Sequence, residues 1–410
     1  MPSKATPRYQ FPFRGAALTD PPPEFAQLRQ EEPVALVELP TGDHAWLVTG
    51  YHEVRQVLSD HRFSRAAAAR PGAPRLRPVP PDATSILSLD PPEHTRLRSL
   101  VAYAFTARRI AAMRPRIQEL TDALLDELVA KGAPGDLAQG FAVPLAMAVI
   151  CEILGVPEED RERFRQSADI ALSLVPADAD RLVAARATLH DYLASLVSAK
   201  RHEFRGDVLS VLASDHDGER LTYEELLTFG ATLLTAGYHT VAAALINGTL
   251  VLLLRPDELA RLRARPQLIT TAVEELLRFT PGAVSGGTIR VATEDVELGG
   301  VTIRRGEAVI PSTTSANRDG CAFADPDNLV LDRPFGRGDV SHVAFGHGFH
   351  HCLGANLARL EMRLAIGSLV RRLPGLSLAV PVEELTWNPN TMIRTLSAMP
   401  VTWRRGETEE

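Results

Sequence analysis

Phe345-Gly346-His347-Gly348-Phe349-His350-His351-Cys352-Leu353-Gly354 runs directly into Ala355-Asn356-Leu357-Ala358-Arg359-Leu360-Glu361. A single cysteine ends a glycine-rich loop just before a helical pattern. Unpaired backbone N–H groups at a helix start carry partial positive charge and favour a nearby anion. The same field lowers a thiol's pKa, and the thiolate is the form that ligates a metal. Gly346, Gly348 and Gly354 predict sharp turns and a backbone able to pass close to a flat cofactor. Taken alone, Cys352 reads as a buried cysteine at a helix start; the glycines, with Phe345 and His350, shift the reading to a ligand.

The chain has 410 residues, enough for a large buried core, and by length alone two or three domains. A net charge of −7 argues against nucleic acid as the main partner, and 45% hydrophobic residues fit a soluble globular protein. Cys151, Cys321 and Cys352 are too sparse for a disulfide framework, which points to a reducing cytoplasm. No apolar run follows Met1-Pro2-Ser3-Lys4, so neither signal peptide nor membrane anchor is expected. From Leu226 to Leu254, 29 residues pass without Asp, Glu, Lys or Arg. That length could span a bilayer, but His239, Asn247 and five threonines, with no flanking aromatic belt, favour a buried central helix about 44 Å long.

Apolar residues recur at three- and four-residue spacing through Ile117–Leu128, Leu145–Leu154, Arg161–Val175, Asp180–Glu203 and Tyr223–Arg255. Asp257–Arg263 and Leu268–Phe279 read as two helices divided by Pro266, and another covers about Ala355 to Arg372. Pro40-Thr41-Gly42-Asp43 predicts a turn beside the strand His44–Thr49, and Ala66 to Asp82 a long surface loop. Short strands are expected between Thr288 and Val309, turning at Gly299-Gly300 and Arg305-Gly306, and again from Leu376 to Trp403.

Three constellations carry chemistry. In Asp90-Pro91-Pro92-Glu93-His94-Thr95-Arg96-Leu97-Arg98, the prolines open a helix with Asp90 as its cap, and His94 and Arg98 share one face. Spacing alone makes this a solvated cationic face. Glu275 and Arg278, in Glu275-Leu276-Leu277-Arg278, share a face and can pair, a weak pattern by itself. In Ala236-Gly237-Tyr238-His239-Thr240, a glycine inside a helix costs about 1 kcal/mol and predicts close approach or a local bulge.

Position by position, the cysteine loop resembles the heme loop of the cytochrome P450 family, Phe-Gly-x-Gly-x-His-x-Cys-x-Gly. The resemblance extends, in family order, from His94 to Pro400. It implies one domain over 1–410: a β-containing part to about 90, a helical core to about 280, and a β and heme-loop region beyond. The fold would be mainly α with a small β region, a helical prism sandwiching heme b around a long central helix. Cys352 would ligate iron, within Phe345, Gly346 and Gly354. His94, Arg98, Arg290 and His350 would hold the propionates, since carboxylates call for charge-assisted donors. Glu275 and Arg278 would pair with Arg333, in Asp325-Pro326-Asp327-Asn328-Leu329-Val330-Leu331-Asp332-Arg333, as a structural trio.

The family carries an acid where this chain has His239, while Ala236, Gly237 and Thr240 match. The threonine orients water beside a locally widened helix, and the acid helps bring protons for O–O cleavage. Histidine can relay protons near neutrality. Otherwise the substrate supplies a polar group, the oxidant serves something other than oxygen insertion, or the position is tolerant. Substrate contacts are expected at Thr84, Ile86, Leu87, Leu89, Leu174, Val175, Leu233, Val284, Ser285, Met392 and Ile393; ordinary core packing is the simpler alternative for each. The resemblance points to a soluble, cytoplasmic, monomeric monooxygenase that hydroxylates or epoxidises a mostly apolar small molecule, in secondary metabolism. Dioxygen, a ferredoxin and a ferredoxin reductase would be its partners. Arg96, Arg108, Arg109, Arg359 and Arg363 are candidate ferredoxin contacts. Oxidative coupling, ring closure or desaturation without oxygen insertion, or a non-catalytic heme protein, remain alternatives.

Overall fold

Glycines at positive φ set the first hairpin: Gly42, at φ 81°, turns Val34–Glu38 back antiparallel onto His44–Val48, with Leu36 opposite Trp46. That pair nucleates a six-stranded sheet in the order Tyr9–Gln10, Val34–Glu38, His44–Val48, Ala308–Pro311, Arg290–Ala292, Phe63–Ser64. His44–Val48 and Ala308–Pro311 run parallel, with Trp46 facing Val309; Arg290–Ala292 then pairs antiparallel with both Ala308–Pro311 and Phe63–Ser64. The computed structural model describes residues 7–13, 19–76, 81–172, 179–202, 206–214, 220–280, 282, 287–336, 340–388 and 393–404.

The sheet belongs to one of two units, formed by Met1–Arg96 and Glu274–Cys352. Its faces bury two apolar clusters, one around Val54, Val57, Leu298 and Ile303, the other around Phe25, Leu28, Leu47 and Ile310. Helix Tyr51–Ser59 is anchored at its start by Asp319, which accepts the Tyr51 N–H at 2.8 Å. Val296–Leu298 and Val301–Ile303 form a separate hairpin whose two central glycines, Gly299 and Gly300, both take positive φ.

Two local expectations are corrected here. The stretch Ala66 to Asp82 is not all loop: Arg65–Ala68 is a short helix capped by Ser64, and Arg65 and Ala68 are buried. The helix after Pro91-Pro92 does begin at Glu93, but the Asp90 carboxylate does not cap it. Its backbone carbonyl accepts the His94 N–H at 2.9 Å. Its side chain is taken by the Ser64 hydroxyl and, at 2.9 Å, the Arg65 N–H.

The second unit comprises Leu97–Val273 and Leu353–Glu410 and is helical. The central helix, Tyr223–Leu253, has 31 residues and is about 46 Å long. Its start is fixed by a capping box: Thr222 Oγ1 accepts the Glu225 N–H at 3.1 Å, and Glu225 accepts the Thr222 N–H at 2.9 Å. Among the described residues it alone is long and apolar enough to cross a membrane. Most of its apolar window is buried within the protein, as befits a core helix. Helices Arg114–Lys131, Val143–Leu154, Ala179–His202 and Ala355–Arg372 pack in this unit, with a small sheet of Ser377–Leu378, Pro400–Thr402 and Gly135–Asp136.

Gly237 illustrates why a core helix tolerates glycine: a Cβ there would stand 2.9 Å from Ile150 Cδ1 on Val143–Leu154. Of the two expected causes, close approach holds and the bulge does not; the helix is uninterrupted from Tyr223 to Leu253.

Glu361, on Ala355–Arg372, is 3% exposed, and its Oε2 finds no hydrogen-bond partner among the described residues. Burial raises its pKa well above the ordinary carboxylate value, so it is held neutral. The unfolded chain releases this proton at ordinary carboxylate pH and the folded chain does not. Stability from this group is therefore lost as pH rises from there towards the raised folded value. Glu361→Gln should remove that slope. Its unfolding free energy relative to the parent should increase by up to about 1.4 kcal/mol per pH unit between pH 5 and 7. Parallel denaturant titrations at these pH values check it, and equal slopes would contradict it.

Candidate active site

In the first unit, Gly346 and Gly348 shape the cysteine loop. Both have positive φ, 73° and 69°, and a Cβ on Gly348 would stand 2.5 Å from the Leu58 carbonyl oxygen. Gly354 differs: its φ is −82°, which any residue can adopt. The Gly346 N–H donates to Val343 O at 2.9 Å, and the Cys352 N–H closes the loop on Phe345 O at 2.8 Å. Phe345 is half-buried, its ring 5.9 Å from that of His342. The Cys352 side chain is exposed, three residues ahead of the first residue of helix Ala355–Arg372. Cys151 is its opposite, a buried thiol whose pKa is pushed up to about 12 by burial.

Arg290 lies on a buried strand, 2% exposed, and its guanidinium donates one long hydrogen bond, 3.4 Å to Thr288 O. Burial pushes its pKa down to about 9; repulsion from Arg65 adds to this and Asp90 opposes it. The neighbour Arg65 is a residue that sequence reasoning missed. Phe63 pairs with Ala292 and Ser64 with Val291, so the register carries Arg65 to the position opposite Arg290. Burial pushes Arg65 down to about 10, again opposed by Asp90. It donates to Leu87 O at 2.8 Å and Ile289 O at 2.5 Å. His94, 3% exposed, faces His350 with ring centroids 4.3 Å apart. Arg98 follows His94 by one turn on Glu93–Ala102 and is half-buried. Two adjacent buried guanidinium groups share one carboxylate, Asp90. Such charge is tolerated when an anion joins it. The donor set fits the two propionates of heme b.

Glu275 and Arg278 are both fully buried and pair through two 2.8 Å hydrogen bonds, and Arg333 Nε reaches Glu275 Oε2 at 2.9 Å. Arg278 also donates to Asn317 O, Pro326 O and Asn328 O, and Arg333 to Ala324 O at 2.5 Å. The trio expected from sequence is assembled.

In the second unit, the Thr240 hydroxyl donates to Ala236 O at 2.6 Å. Ala236 and Thr240 are exposed on a helix most of whose residues are buried, and Leu233, Gly237 and Ala244 lie half-buried along the same stripe. His239 Nε2 stands 3.7 Å from Asp169 Oδ1 on helix Arg161–Leu172. The Tyr238 hydroxyl donates to the same carboxylate at 2.9 Å, and burial and Asp169 raise the tyrosine's pKa. Asp169 was also missed: nothing in sequence ties residue 169 to 239.

The expected substrate contacts divide. Leu87 is exposed, whereas Ile86 is buried and Thr84 is tied to Asp82 by a 2.7 Å hydrogen bond. Leu89, Leu233 and Ile393 are half-buried. Leu174, Val175, Val284, Ser285 and Met392 lie outside the described residues.

The family profile of cytochrome P450 matches residues 163–374. Nocardicin C N-oxygenase of Nocardia uniformis subsp. tsuyamanensis is 48% identical over 96% of this chain and 98% of its own. The chain belongs to the cytochrome P450 family. The mycinamicin IV hydroxylase/epoxidase of Micromonospora griseorubida is 42% identical over 92% of this P450 and 94% of its own length. The leinamycin-pathway cytochrome P450 hydroxylase of Streptomyces atroolivaceus superposes with a TM-score of 0.90 at 46% identity, covering 96% of this chain and 100% of that one. This P450 therefore has the P450 fold, mainly helical with small sheets, binds heme b, and is a monooxygenase acting with dioxygen, a substrate and redox partners.

Arg290→Gln should accelerate heme loss to apomyoglobin by about 10- to 100-fold, the equivalent of one charge-assisted hydrogen bond. The heme-free protein should be no less stable, because the substitution relieves repulsion with Arg65. Unchanged heme release would remove Arg290 from the propionate site.

Proposed function

We propose that this P450 oxygenates a mostly apolar small molecule in secondary metabolism, with Cys352 as the thiolate ligand of its heme. The observation that carries it is an exposed cysteine in a hydrogen-bonded glycine loop, in the same unit as two buried arginines that lack anionic balance. Heme b, when bound, supplies dioxygen activation at a sulfur-ligated iron, one oxygen atom entering the substrate and the other leaving as water.

The protein's own residues bind, orient and handle protons. His94, Arg98, Arg290 and His350, joined by Arg65, hold the propionates, and Phe345, Gly346 and Gly354 frame the cysteine. The Thr240 hydrogen is committed to Ala236 O, so its oxygen lone pairs remain to accept from a water. His239 stands in the acid's place as proton carrier. Leu87, Leu89, Leu233 and Ile393 offer apolar contact to substrate, with Thr84 and Ile86 secondary on account of their internal ties. Electrons come from a ferredoxin and its reductase. Arg108 is exposed and Arg109 stacks on Tyr103 at 4.8 Å, a basic surface suited to an acidic donor. A cytoplasmic monomer is the form proposed.

Surrogate ferredoxin and reductase, NADPH and labelled dioxygen test this reading, with substrates chosen by their shift of the heme from low to high spin. One labelled oxygen atom per product is expected. Thr240→Ala and His239→Ala should each raise peroxide released per NADPH severalfold. Unlabelled product would favour coupling or desaturation, and NADPH oxidation that never responds to any ligand would contradict turnover altogether.

A further inference from the structure

The carboxylate that the family pattern carries at position 239 has a counterpart on another helix. Asp169 Oδ1 lies 3.7 Å from His239 Nε2, within ion-pair range and beyond a direct hydrogen bond. Asp169 is not free to swing away. Its Oδ1 accepts the Tyr238 hydroxyl at 2.9 Å and its Oδ2 accepts Arg165 Nη1 at 2.9 Å. Arg165 in turn holds Glu162 through hydrogen bonds of 2.8 and 3.0 Å. Those contacts draw the Glu162 carboxyl down to about 2 and raise Arg165, so both stay ionised. Residues 162, 165 and 169 follow one face of Arg161–Leu172 at three- and four-residue spacing. The Glu162 side chain is 64% exposed, so this row of charge runs from His239 to solvent.

We infer that Asp169 is a positioning residue for His239, restoring from helix Arg161–Leu172 the negative charge that residue 239 itself does not carry. The inference rests on His239 as the proton carrier. A carboxylate facing Nε2 keeps the proton on that nitrogen and leaves Nδ1 as the exchanging atom. Nδ1 takes a proton from water and gives up a proton when one is consumed; the ring passes from cation to neutral and back. Tyr238 and Arg165 hold Asp169 in place, so it orients the ring without itself carrying the proton. The facing groups are Asp169 and Arg165 on the neighbouring helix and Tyr238 on the ring's own helix. Closing the 3.7 Å gap takes under an ångström of side-chain movement or one bridging water.

The test uses histidine-labelled, full-length holoprotein in the reduced, carbon monoxide-bound form, which is diamagnetic. In the parent, the ring ¹⁵N shifts of His239 should mark Nε2 as protonated and Nδ1 as the acceptor-type nitrogen. Asp169→Asn should lose that preference, Asp169→Glu should restore it, and Tyr238→Phe should leave it largely in place. With 7-ethoxycoumarin as probe substrate, Asp169→Asn should also release at least about threefold more peroxide per NADPH, and Asp169→Glu should bring the yield back. Identical tautomer signals in parent and Asp169→Asn overturn the inference, whether or not the coumarin is turned over. Labelled product from the parent, with coupling unchanged in Asp169→Asn, also overturns it while leaving the monooxygenase reading intact.

Discussion

Burial of Glu275 with two arginines is the constraint on which the architecture around the cysteine loop depends. A fully buried carboxylate is costly unless its charge and lone pairs are matched, and here they are: Arg278, Arg333 and the Val330 N–H all donate to it. The arginines then spend their remaining donors on carbonyls between Asn317 and Asn328. An irregular stretch with few regular backbone hydrogen bonds is thus fixed by two side chains. Asn317 passes this order on, since its Oδ1 accepts the Val343 N–H at 2.7 Å, two residues before Phe345 opens the cysteine loop. A loop that must present one sulfur in one place gains that precision from charge buried outside it.

A second electrostatic theme runs through the same unit with opposite sign. Where Glu275 is over-supplied with cations, Arg65 and Arg290 are under-supplied with anions. Glu275 and Arg278 share one helix and Arg333 reaches them from an irregular stretch, whereas Arg65 and Arg290 meet through strand register; both arrangements have consequences because water cannot screen them. The first is closed within the protein and serves folding. The second leaves positive charge that the carboxylates of a cofactor would balance.

Legibility from sequence tracked contiguity. The cysteine loop, the Glu-x-x-Arg pair and the central helix each lie within one short segment, and all were readable; the helix after Cys352 runs Ala355–Arg372 as its periodicity requires. Arg333 came only through resemblance, since no local pattern links it to Glu275. Arg65 and Asp169 were invisible, because strand register sets one beside Arg290 and helix packing sets the other near His239. Asp90 had a good capping sequence, but Ser64 and Arg65 compete for its carboxylate and win. The glycine at 237 was ambiguous until Ile150 showed what stands against it.

The central claim is that the sulfur of Cys352 ligates the heme iron, and the absorption of the reduced, carbon monoxide-bound protein addresses it most directly. A Soret band near 450 nm, the position diagnostic of thiolate ligation, is expected for the parent chain, moving to about 420 nm in Cys352→Ser. A parent band near 420 nm in freshly prepared, folded protein, or a serine variant that keeps the 450 nm band, would contradict the account.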